Sequence, residues 1–70
     1  MGTRRYEFRV DGRLSEEARD AFADMQISEA PVQTVIDGEV LDEAHLRGII
    51  AQFQTLGITL VSVHPVPRAE

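Results

Sequence analysis

An α+β sandwich with the element order βαββαβ is the fold this sequence predicts, and three observations predict it. Two stretches alternate apolar and polar residues as half-buried strands do, and two others place apolar residues at helical spacing. The chain also runs through this pattern twice. Asp11-Gly12-Arg13-Leu14-Ser15-Glu16-Glu17-Ala18 aligns without gaps to Asp37-Gly38-Glu39-Val40-Leu41-Asp42-Glu43-Ala44, with a strand pattern upstream and a helix pattern downstream of each.

The first strand reads Tyr6, Phe8 and Val10 with Glu7 and Arg9 between them. Asp-Gly between apolar stretches is ordinarily a hairpin signal. Here Asp11-Gly12 runs into a helix, so both Asp-Gly pairs are read as strand ends turning toward helices. Helix one starts at the N-cap Ser15, with Glu16 and Glu17 where the helix dipole favours negative charge and Ala18, Ala21, Phe22 and Met25 as its buried stripe. A short strand over residues 26–29 follows, expected at an edge and turning at Ala30-Pro31.

The second unit opens on Val32, Thr34 and Ile36, alternating with Gln33 and Val35. Its helix starts at the N-cap Asp42, buries Leu46, Ile49, Ile50, Phe53 and Leu56, and ends at Gly57, a left-handed C′ residue. Gly48 costs about 1 kcal/mol against alanine in a helix interior, and close packing on the sheet is the expected reason for it. The last strand, residues 59–64, ends before Pro65 and Pro67. Two split βαβ units, about residues 4–29 and 32–64, then form a ferredoxin-like four-stranded antiparallel sheet with both helices on one face.

The stretch Gly38-Glu39-Val40-Leu41-Asp42-Glu43-Ala44-His45-Leu46-Arg47-Gly48-Ile49-Ile50, followed by Leu56-Gly57-Ile58-Thr59-Leu60-Val61-Ser62-Val63, resembles a group of short actinobacterial proteins of unassigned function. Their recurring pattern is G-x-V-x-D-x-A-x-L-x-G-L-L, then L-G-L-x-L-x-S-V. The likeness covers the C-terminal half well and the N-terminal half loosely. The chain departs from it in a shortened connection before the third strand and in His45, where a small residue is expected. No activity comes with the resemblance.

With 70 residues the chain is expected to be one domain, residues 1–70, with a total stability on the order of 4–10 kcal/mol. A partner chain would add apolar burial to so small a core. There is no cysteine, which removes disulfides, zinc-thiolate clusters and thiol catalysis together. No apolar run approaches the length of a membrane span, and residues 1–5 lead into a strand pattern, so the expected location is the cytoplasm. The net charge of −5, with arginine as the basic residue throughout, disfavours binding to a phosphate backbone.

Candidate chemistry is sparse. Asp42 and His45 have i, i+3 spacing, but Asp42 is needed as N-cap and His64 lies on another element, so no metal site is expected. Ser62 and His64 share a sheet face without a placed acid, so no catalytic residue is assigned. One glycine in each Asp-Gly pair is not a phosphate cradle, and Glu16, Glu17 and Glu43 would repel an anion. A strand–Asp-Gly–helix junction, read at both Asp-Gly pairs, does resemble the position at which ACT domains bind amino acids, a likeness of fold alone. Tyr6, His45 and His64 are the candidate ligand-binding side chains.

Arg5, Glu7 and Arg9 point away from Tyr6, Phe8 and Val10, onto the helix-free face. Their mixed charge, without exposed aromatics, argues against an RNA platform. They form the candidate interface with Val61 and Val63, provided the last strand turns Thr59, Val61 and Val63 outward. The alternate phase exposes Leu60, Ser62 and His64. The expected function is a non-catalytic protein-interaction or ligand-sensing module without cofactor, acting as a homodimer or with a protein partner. The alternative is a small enzyme or small-molecule-binding protein of the dimeric α+β-barrel kind.

Overall fold

The computed structural model describes residues 3–30 and 32–67. Its elements run β1 (Arg4–Asp11), α1 (Glu16–Ala21), β2 (Gln26–Ala30), β3 (Gln33–Val40), α2 (Glu43–Thr55) and β4 (Leu60–Pro65). This is the βαββαβ order, and the strands form one antiparallel sheet in the order β2-β3-β1-β4. β1 lies inside the sheet because it pairs on both sides, Phe8 opposite Ile36 of β3 and Val63 of β4. Phe8, Val10, Thr34, Ile36 and Val40 are buried on one face, where Ala18, Phe22, Ile49 and Phe53 close the core from the helices.

The caps follow the sequence. Ser15 Oγ accepts the Ala18 N–H at 3.2 Å, and the Asp42 carboxylate accepts the His45 N–H at 2.8 Å. At the end of α2 the Gly57 N–H donates to Gln54 O and the Ile58 N–H to Phe53 O, with Gly57 at φ +74°. These two hydrogen bonds close the helix as a left-handed glycine allows. Helix α1 is shorter than expected: it ends at Ala21, which is exposed, and Met25 lies beyond it. Six residues are too few to hold a helix by propensity, so α1 depends on Ala18 and Phe22 reaching the core.

Three expectations need correction. Asp37-Gly38 is not a strand-to-helix junction but lies inside β3, Asp37 opposite Glu7 and Gly38 opposite Tyr6. Glycine is required there because the Met25 side chain lies across the bare backbone, and an added Cβ would come within 2.9 Å of Met25 Cγ. The gapless match is therefore not a structural repeat: it aligns the cap Ser15 with Leu41, one residue before the cap Asp42. Gly48 is exposed, and a Cβ there would meet nothing within 4 Å, so sheet packing does not explain it. Val32 belongs to no strand and is 83% exposed.

β4 adopts neither of the two expected phases. Its register shifts between Arg9 and Val10, so that Ser62 opposes Arg9 while Leu60, not Val61, opposes Val10. One extra residue breaks the alternation as a β-bulge does. Leu60 and Val63 both pack on the core, and Val61 is left 51% exposed.

Three substitutions test this packing. Phe53→Ala should cost about 3–5 kcal/mol, a large part of the total, and thermal unfolding measures it. Gly38→Ala should lower the melting temperature, less so when Met25 is also shortened to alanine. Gly48→Ala should raise stability by about 1 kcal/mol; equal effects of the two glycine substitutions would refute these placements.

Candidate functional site

Alternation along β1 and β3 builds the helix-free face. Arg5, Glu7 and Arg9 stand between the buried positions of β1, and Val35 and Asp37 between those of β3. The register lays them out in rows. Gln26, Asp37, Glu7 and His64 form one row, and Ser28, Val35, Arg9 and Ser62 the next.

The charges in these rows are tied to one another. Arg5 reaches the Asp37 carboxylate at 2.7 Å and donates to Gln26 Oε1 at 3.2 Å, and Arg9 Nε donates to Glu7 Oε2 at 3.0 Å. All four ion-pair side chains are partly screened from solvent. Such half-exposed pairs contribute less than about 1 kcal/mol each, but they hold long side chains flat on the strands. Of the expected interface set, Arg5, Glu7 and Arg9 therefore share the face and Val61 is exposed, whereas Val63 packs on the core side opposite Phe8.

The candidate ligand residues do not converge. Tyr6 lines a groove of about 260 Å³ with Val40, Leu41, Asp42 and Leu46. His45 is occupied by the helix cap, its Nδ1 accepting the Leu41 N–H at 2.9 Å. With Asp42 accepting from the His45 backbone, this resembles a capping box, except that the histidine ring takes the N–H of Leu41, one residue before the cap, and not that of Asp42 itself. His64 opposes Glu7 and lines a separate hollow with Pro65 and Pro67. Among the described residues no group of three or more His, Cys, Asp or Glu is placed to hold a metal ion. No helix among them is long and apolar enough to cross a membrane.

A groove of about 670 Å³ lies at the other end of the sheet, where the β1–α1 turn meets the α2–β4 turn. Leu14, Leu56 and Ile58 contribute apolar surface to it, and Gly12, Gly57 and Val32 also line it. All three of the latter have left-handed backbones, at φ +74°, +74° and +61°. For glycine this is free, but for β-branched Val32 it is strained. A brace fixes the turn beside it: the buried Thr34 hydroxyl donates to Gly12 O at 2.6 Å, and the Gly12 N–H donates to Val32 O at 3.1 Å. Both glycines are legible as turn residues, but only the adjacency of β1 and β4 brings them together.

A four-stranded antiparallel sheet with helices over one face and ion pairs on the other, which no described element covers, defines a small α+β domain of the ferredoxin-like class. Residues 5–64 match the family model described as a domain of unknown function (DUF8691), and the chain belongs to that family. No curated protein and no solved structure matches it.

Val32→Gly should stabilise the chain by up to about 1 kcal/mol, because relief of a left-handed β-branched residue outweighs the extra unfolded-state freedom that glycine brings. A melting temperature that does not rise would show that the turn carries no strain.

Proposed function

We propose that this chain is a small non-catalytic interaction module that works as a homodimer. The observation that carries the reading is the helix-free face of the sheet, which none of the described elements covers and whose centre carries the Arg5–Asp37 and Arg9–Glu7 pairs. A surface already ordered loses little side-chain freedom when a partner meets it. Both signs of charge are present on it, so an identical copy related by a two-fold axis can set arginine against carboxylate. The scatter of Tyr6, His45 and His64 over separate places supports binding over catalysis, since a reactive site needs convergent groups. Ligand sensing is the second reading, and the groove framed by Gly12, Gly57 and Val32 supports it.

Two routes join copies of such a sheet: stacking the bare faces or pairing exposed edges. Val63 facing the core weakens the first, because Val35 and Val61 are then the apolar side chains left for a stacked interface. Sedimentation equilibrium at tens to hundreds of micromolar tests the reading. The expected result is a mass of two chains that falls toward one on dilution; a single-chain mass at every concentration would overturn it.

A further inference from the structure

The two edges of the sheet are built differently. β4 carries the bulge, ends on Pro65 and is followed by Pro67. These features stop a strand from adding to an edge. β2 has no bulge and no proline within its span, Pro31 coming only after it in the sequence. Its five residues pair with β3 in unbroken register, without bulge, proline or lysine. Among the described residues, no backbone group of β2 hydrogen-bonds outside its own strand pairing. One edge is closed against pairing and the other is left open.

We infer that β2 pairs antiparallel with β2 of a second copy, with Ile27 on the two-fold axis, so that the sheet continues through eight strands. This rests on the self-association proposed above and names its seam. An antiparallel edge suits a copy of itself, because its outward N–H and C=O groups meet the same pattern after a half-turn.

The register follows from pleat and charge. Ile27 and Glu29 point to the core side, opposite buried Ile36 and Thr34, while Gln26 and Ser28 stand on the bare face. An axis normal to the sheet must match core-side residues with core-side residues, which leaves Ile27, Ser28 or Glu29 on the axis. Glu29 there sets two carboxylates face to face, which is unfavourable. Ser28 there sets each Glu29 against the second copy's Ile27. Ile27 there sets isoleucine against isoleucine, closing its half-exposed side, and pairs Gln26 with the second copy's Ser28. In this register Glu29 keeps its own partners, Arg19 at 2.6 Å and Arg13 at 3.8 Å, above the seam.

The chain has no cysteine, so single substitutions read the register directly. Residues on the axis have Cα atoms about 4.5–5.5 Å apart, within disulfide range, and diagonal neighbours about 7–8 Å, outside it. Under mild oxidation, Ile27→Cys should form covalent dimers at least about tenfold faster than Ser28→Cys or Glu29→Cys, as that geometry requires. Val61→Asp, on the other edge, should leave the dimer intact. In the wild-type chain, hydrogen exchange of the β2 amides should slow as concentration rises, a readout independent of whether any variant folds. Fastest crosslinking through Ser28→Cys overturns the register. A dimer in the ultracentrifuge without β2 protection, or one dissociated by Val61→Asp, overturns the seam while self-association stands. A monomer throughout removes both.

Discussion

Three phenylalanines hold the two layers together. Phe53 of α2 stands between Phe8 of β1, with ring centroids 5.5 Å apart, and Phe22 at the end of α1, 4.7 Å away. All three are buried. Tilted contacts at these separations add to the burial of large apolar rings, and here they connect the inner strand to both helices at once. Without this stack α1 has no reason to exist, since a six-residue helix does not stand alone. The orientation of α1 then decides where Met25 falls, and Met25 decides that residue 38 must be glycine.

What was legible in the sequence was whatever depends on short-range chemistry. Both N-caps, the glycine that closes α2, the inward residues of β1 and the apolar stripe of α2 were readable because each rests on spacing within a few residues. What was not legible depends on pairing between distant segments. Asp37-Gly38 looked like a turn because its dipeptide is a turn signal. It is a strand because Arg5 and Met25, far away in the chain, need a carboxylate and a bare backbone at those two places. The phase of β4 was hidden for the same reason, as a bulge exists only relative to its partner strand. The bare face was readable from β1 alone, the end groove was not.

The molecule treats its polar groups as carefully as its apolar ones. The buried polar side chain of the core, Thr34, spends its hydroxyl on the carbonyl of Gly12 and so ties the first turn to β3. A hydrogen bond of this kind contributes about 0.5–1.5 kcal/mol net. On the outside, Arg5 and Arg9 are paired within the sheet, Arg13 and Arg19 reach Glu29 of β2, and Arg47 pairs with Glu43 along α2. Charge here organises surfaces more than it stabilises the fold.

The strand order has a consequence for how the chain is made. β1 is the first element and β4 the last, yet they lie side by side, Tyr6 opposite Pro65 and Val10 opposite Leu60. While a ribosome extends the chain, β1 can pair with β3 but must keep its other side unfilled until residues 60–65 arrive. The growing chain therefore holds an inner strand as a temporary margin, with Phe8 covered on one flank. Such an unfilled strand is what other chains add to, so the chain is most exposed to mispairing in the interval before β4 closes that side. Closing that gap is a long-range step, since β1 and β4 lie about as far apart in the sequence as two elements of this fold can.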